Sequence, residues 1–265
     1  MNNFGYHRPA SVADAVKALG GSGDARIVAG GQTLLPTLRA RLATPSDLVD
    51  LRAIAELKGI KAEGDGITIG AMTPHAEVAA SDVVKGAIPA LAYLADHIGD
   101  RQVRTLGTIG GSLANNDPAA CYPSAVLALG ATIRTSKREI KADDFFQGLF
   151  TTALEDGEII TAVHFPKPEK AAYEKFVQPA SRFALVGVFV AKAREGVRVA
   201  VTGAGQEGVF RARELEQALS ANFSPDAAKG VKVAAGNLIS DLHGTAEYRA
   251  HLIPVLTARA VAAAK

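Results

Sequence analysis

The strongest constraint on what this chain can fold into is a pair of glycine clusters. They are Ala29-Gly30-Gly31-Gln32-Thr33 and Gly107-Thr108-Ile109-Gly110-Gly111-Ser112. The first follows the strand-like run Ala25-Arg26-Ile27-Val28. A glycine-rich loop after a strand lets main-chain N–H groups converge on an anion, because no Cβ blocks the approach. Both clusters carry hydroxyls or amides beside the glycines, which suits a pyrophosphate and its sugar. The alternative is that paired glycines only make tight turns. Neither cluster is a P-loop, since no Gly-Lys-Ser/Thr follows.

Length and charge narrow the field. A chain of 265 residues fits two domains or one large one, and it can bury a core without staples. A net charge of +2 leaves no electrostatic footprint for nucleic acid. The single cysteine, Cys121, excludes an internal disulfide and any four-cysteine zinc or iron–sulfur site on this chain alone. The N-terminal stretch lacks the apolar segment of a signal peptide, and no apolar run of about 18 residues occurs. The expectation is therefore no membrane span and a cytoplasmic location.

Periodicity and turn residues predict the following elements. Ser11 caps a first helix, which Gly20-Gly21-Ser22-Gly23-Asp24 ends. A short helix over 34–41 and a strand over 48–51 follow. Gly64-Asp65-Gly66 joins a hairpin, and Thr73 caps a helix near Pro74. A longer helix covers 88–98, and a loop then holds the second glycine cluster. After it come a helix over 123–129 and strands over 131–134 and 159–165. Pro166 and Pro168 mark a linker. Beyond it, strands over 173–177, 184–192 and 197–202 precede helices over 211–219, 226–238 and 245–265. Strands followed by helices read as an α+β unit.

Three other motifs carry less. Gly203-Ala204-Gly205-Gln206-Glu207-Gly208 spells G-x-G-x-x-G, but no second parallel strand follows Leu219, so it reads as a turn. His75-Ala76-Glu77 has no third metal ligand and reads as the start of a capped helix. Ser181 lacks a nucleophile elbow. No catalytic residue and no metal ligand are assigned.

The stretch from Ala29 to Pro36 resembles the first flavin motif of the molybdenum hydroxylase family. The run from Gln102 through Thr108, Gly110, Gly111 and Asn115 to Ala119 is similar to the second. Ile69 to Glu77 and Glu247-Tyr248-Arg249 also fit. The similarity is to the medium, FAD-binding subunit of the carbon monoxide dehydrogenase and xanthine dehydrogenase type, and it covers nearly the whole chain. It implies an α+β fold. A PCMH-type FAD-binding domain of two α/β subdomains, residues 1–55 and 56–168, would precede a small three-strand, three-helix domain, residues 173–265. It also implies FAD as cofactor, a small partner subunit with [2Fe–2S] clusters and a large molybdopterin-containing partner. The expected assembly is a dimer of heterotrimers, passing electrons from the clusters to an external acceptor such as NAD or quinone.

Carried over by position, the resemblance implies that Ala29, Gly30, Gly31, Gln32 and Thr33 wrap the pyrophosphate with main-chain N–H groups. Thr108, Gly110, Gly111 and Ser112 would hold the phosphate and ribityl side, with Asn115 and Asp117 further along. Ile160, Phe183 and Lys175 would lie near the flavin ring. Cys121 stands where many relatives have an aspartate that can hydrogen-bond the flavin. A thiol there would remove one contact worth about 1 kcal/mol. Two alternatives follow. One is a flavin-depleted assembly or scaffold subunit, motivated by Cys121. The other is a stand-alone flavin oxidase, for which the C-terminal part is small.

Overall fold

Three sheets follow one another along the chain. The computed structural model describes residues 2–21 and 23–265, so Ser22 of the predicted helix stop lies outside the described residues. Strands β1 (Gly5–His7), β2 (Ala25–Val28) and β3 (Asp47–Asp50) form a parallel sheet in the order β1-β3-β2. Helix α1 (Val12–Gly20) joins the first two strands, and the Ser11 hydroxyl caps it by accepting from Asp14 N. Helix α2 (Leu34–Arg39) joins the second to the third, right after the first glycine cluster. At the end of β3 the buried Asp50 carboxylate accepts from the Tyr6 hydroxyl and from the main-chain N, Nε and Nη2 of Arg52. Burial alone would raise its pKa. The hydrogen bonds from Arg52 and Tyr6 outweigh that and hold it at about 2.

The second sheet is antiparallel throughout. Strands β4 (Ile60–Glu63) and β5 (Gly66–Gly70) form the hairpin expected from Gly64-Asp65-Gly66. Six helices then intervene: α3 (His75–Ala80), α4 (Asp82–Ala87), α5 (Pro89–Asp96), α6 (Arg101–Leu106), α7 (Ile109–Asn115) and α8 (Tyr122–Ala128). Strands β6 (Thr132–Thr135) and β7 (Glu139–Lys141) follow. A short helix, α9 (Ala142–Phe145), precedes a small hairpin of β8 (Phe146–Gly148) and β9 (Thr151–Thr152). Strand β10 (Ile160–Pro166) returns to the centre, giving the order β4-β5-β10-β6-β7.

Two expectations fail here. The second glycine cluster is not a loop. Its glycines open α7, with the Thr108 side chain capping the helix from below Gly111 N. Helix α6 precedes it, capped by Asp100, whose carboxylate accepts from Val103 N. Thr73 does not cap α3. Its hydroxyl instead donates to Gly59 O and accepts from Gly59 N, tying α3 to the edge of the sheet.

The third sheet holds β11 (Lys170–Val177), β12 (Ala184–Ala193), β13 (Gly196–Thr202) and β14 (Phe210–Arg211), antiparallel and in chain order. The two-residue β14 is a fourth strand beyond the three expected. Helices α10 (Arg213–Ala221), α11 (Pro225–Lys229) and α12 (Ala246–Ala263) complete the chain. The helix expected over 226–238 stops at Lys229, capped by Gly230. Residues 231–235 run on without regular structure, alternating between half-buried and exposed.

Strand β12 is buried from Ala184 to Ala191 because both of its faces are covered. Val186, Val188 and Val190 meet Leu215, Leu219, Ile253 and Leu256 of α10 and α12. On the opposite face Tyr173 and Phe189 join the core built by α5 and α8. Polar ties seal this junction. Asp143 pairs with Arg198 and Arg211, and the Thr202 hydroxyl donates to Pro118 O (2.9 Å) and Ala120 O (2.6 Å). The G-x-G-x-x-G segment is a turn between antiparallel β13 and β14, and Gly203 in it has φ +81°. Among the described residues no helix is long and apolar enough to cross a membrane.

Candidate functional site

The two glycine clusters meet across an open cleft of about 590 Å³. Their contact is made by main chain. A Cβ on Gly30 would strike Leu106 O and come within 2.7 Å of Gly107 Cα. The loop after β2 therefore rests directly on the α6–α7 junction. Gly111 sits between the clusters, where a Cβ would lie 3.2 Å from Ala29 Cβ.

The clusters differ in what they offer a ligand. In the second, all but one of the N–H groups are already used, the exception being Thr108 N, which has no partner among the described residues. Ile109 N donates to Thr73 O, Gly110 N to Ala71 O, Gly111 N to Thr108 Oγ1 and Ser112 N to Thr108 O. In the first, the N–H groups of Gly30, Gly31, Gln32 and Thr33 have no partner among the described residues. An anion would thus find its main-chain donors at 30–33 and at Thr108. From the second cluster it would find side chains, since the Ser112 hydroxyl and the Asn115 amide are also without partners among the described residues.

Ala29 to Thr33, Thr108, Gly110, Gly111, Ser112, Asn115, Asp117 and Ile160 all line the cleft. Asp117 is partly committed, because its Oδ1 accepts from Ala119 N. Three expected residues do not line it. Cys121 is 5% exposed and packs in the core. Lys175 is drawn the other way. Its Nζ donates to His97 O and to Arg182 O (3.0 Å), and it lies 3.7 Å from Cys121 Sγ. Phe183 packs edge-on against His243 at 5.6 Å.

Other wall residues were not singled out as ligand-facing from the sequence. Arg26, Met72, His75, Glu158 and Ile159 come from three separate parts of the chain. Among the described lining residues, Arg26, His75, Asp117 and Glu158 are the ionisable ones. Glu158 is buried, which would raise its pKa. Hydrogen bonds from Arg138, Thr135 and Glu155 N outweigh burial and hold it at about 2. Its charge is therefore matched inside the wall. His75 goes the opposite way: burial, with a smaller effect from Arg104, lowers its pKa to about 4 and keeps it neutral. Asn116, next to the cleft, adopts φ 43° and donates to Gly148 O and Thr151 O, which fastens the β8–β9 hairpin.

Residues 2–168 match a family model described as the FAD binding domain in molybdopterin dehydrogenase. Over its length the chain is 37% identical to the carbon monoxide dehydrogenase medium chain of Afipia carboxidovorans, covering 99% of this chain and 97% of that one. It is 35% identical to the glyceraldehyde dehydrogenase medium chain of Sulfolobus acidocaldarius, covering 97% and 96%. Among solved structures, a chain of the reconstituted CO dehydrogenase from Oligotropha carboxidovorans superposes with a TM-score of 0.91. It is 36% identical, with 98% of this chain and 97% of that chain covered.

Proposed function

The chain belongs to the FAD-binding medium subunits of the molybdenum hydroxylase family, and from that premise we propose that its cleft relays electrons from a partner's iron–sulfur clusters to an external acceptor. The chain is an FAD-binding oxidoreductase subunit. The observation that carries the assignment of the cleft is the row of partnerless N–H groups at 30–33, facing open space of dinucleotide scale.

In this reading the loop at 29–33 holds the pyrophosphate through main-chain N–H groups. Thr108 shapes the start of α7, while Ser112 and Asn115 supply side-chain hydrogen bonds to the sugar side. Gly110 and Gly111 act by absence, letting α7 lie against Ala71 and Ala29. Ile160 supplies apolar wall. Glu158 adds no unmatched negative charge, because Arg138 neutralises it. Bound FAD supplies the redox chemistry the polypeptide lacks, since it exchanges electrons singly or in pairs. The protein binds and orients it. Residues 1–55 and 56–168 are read as the two flavin-binding lobes and 173–265 as the C-terminal unit. The first two sheets fall within the lobes, and the third begins three residues before the C-terminal boundary. The proposed partners are a [2Fe–2S] small subunit and a molybdopterin-containing large subunit in a dimer of heterotrimers, with NAD or quinone as candidate acceptors.

The buried position of Cys121 weighs against the flavin-depleted scaffold, whose motive was a thiol exposed to the cofactor. The test is stopped-flow absorbance on the assembled complex. Substrate added without acceptor should bleach the flavin bands, and an acceptor should restore them. A complex without flavin bands, or flavin that stays oxidised while the iron–sulfur bands bleach, would refute the relay.

A further inference from the structure

His75 starts α3 beside the cleft and is only 4% exposed. Its Nδ1 is sealed in without a hydrogen-bond partner. Its Nε2 also has none among the described residues. Nε2 lies against Gly107, where a Cβ would come within 2.7 Å of it, and both residues line the cleft. The ring packs at a tilt on Tyr122, 5.2 Å between centroids.

Packing alone does not account for a histidine here. Leucine or phenylalanine would fill the space without burying an unpaired Nδ1. A buried polar group lacking a partner is costly, and proteins keep one where a ligand or ordered water completes it. Neutral imidazole offers one donor and one acceptor. Its place is also specific: Gly107, against which it rests, is the point where the Gly30 loop touches the second motif.

We propose that His75 is a further cofactor-binding residue, whose Nε2 hydrogen-bonds the phosphate–sugar middle of the dinucleotide where the two glycine clusters converge. This rests on the reading that the cleft holds FAD. With Nδ1 sealed in, Nε2 is the nitrogen left for the ligand. Gly107 is glycine so that the ring can lie flush with the main chain.

The assembled complex is stripped of flavin and titrated with FAD by fluorescence quenching, as wild type, His75→Leu and His75→Gln. Thermal unfolding of each flavin-free protein is followed in parallel. Losing one hydrogen bond to a charged or strongly polar partner weakens FAD binding by about tenfold in His75→Leu. The flavin-free His75→Leu protein unfolds at or above the wild-type temperature, because the unpaired Nδ1 is gone. His75→Gln, whose amide reaches about as far as Nε2, recovers most of the affinity. Wild-type affinity in His75→Leu overturns the proposal. So does a loss that His75→Gln does not recover, or one matched by a fall in flavin-free stability, since either marks a structural role. A wild type that takes up no FAD would instead overturn the FAD reading itself.

Discussion

Two adjacent glycines separate packing from cofactor access. In Gly110→Ala the new Cβ would lie 2.6 Å from Ala71 Cβ and 2.8 Å from Ala71 O. That carbonyl already accepts from Gly110 N at 2.8 Å, so neither side can retreat without breaking the bond. Overpacking of this kind costs about 1–3 kcal/mol. Alanine in place of glycine in a helix returns up to about 1 kcal/mol. The net loss is about 1–2 kcal/mol, which lowers the melting temperature by roughly 2–8 °C for a domain of this size. In Gly111→Ala the Cβ would lie 3.0 Å from the Thr108 hydroxyl and 3.2 Å from Ala29 Cβ. A shift of a few tenths of an ångström relieves both, and helix propensity offsets the strain to within about 0.5 kcal/mol. The added methyl, however, stands between the two clusters at the cleft wall. Gly110→Ala should therefore lose stability, whereas Gly111→Ala should keep its stability and lose FAD affinity. Calorimetry of the flavin-free proteins and FAD titration read the two effects separately. A Gly110→Ala protein melting at the wild-type temperature, or a Gly111→Ala protein with wild-type FAD affinity, would refute the reasoning.

Further expectations follow from the ion pairs and the core. Asp50 has a folded pKa of about 2 against an ordinary 3.8, so its stabilisation is present above the higher value and lost as pH falls through the lower. The amount is about 2 kcal/mol, and urea midpoints between pH 2 and 5 should flatten in Asp50→Asn. Cys121, being buried, should resist a thiol reagent in the native protein and react once per chain after unfolding; rapid native labelling would contradict its placement. Lys175→Met should free the turn at 178–183, because the ammonium grips Arg182 O and His97 O. Limited proteolysis would then cut there first, and an unchanged cleavage pattern would count against that grip. Asp143→Ala should loosen the junction of the second and third sheets by removing the partner of Arg198 and Arg211. Hydrogen exchange in β13 and β14 should rise, and unchanged protection would show the ion pairs to be dispensable.

Elements with local signals were legible in the sequence. Gly64-Asp65-Gly66 specified its hairpin, and the apolar run over 184–192 marked β12 as a strand, although the covering of both its faces is visible only in the fold. Helix α6 was missed although Asp100 signals a cap, because a single turn with the glycines behind it shows little periodicity. The stretch at 231–235 was misread because alternate burial of Val231, Val233 and Ala235 is a two-residue period, overlooked beside a real helix. In the site, both glycine clusters were visible as clusters, but not their unequal roles. Which N–H groups are already used depends on Ala71 and Thr73, contributed by a distant strand end. Cys121, Lys175 and Phe183 rested on resemblance alone, and the fold sends their side chains into the core, to backbone carbonyls and to His243.

The seat of Gly30 on Leu106 and Gly107 also bears on how such a site can change over generations. The spacing of the two glycine clusters is set there by bare main chain, which no codon change can thin. Any side chain at position 30 would push the loop after β2 off the α6–α7 junction. The walls are not equally free to change either, because Met72 and Ile159 are themselves packed in the core, which leaves the exposed Arg26 as the wall position most open to exchange.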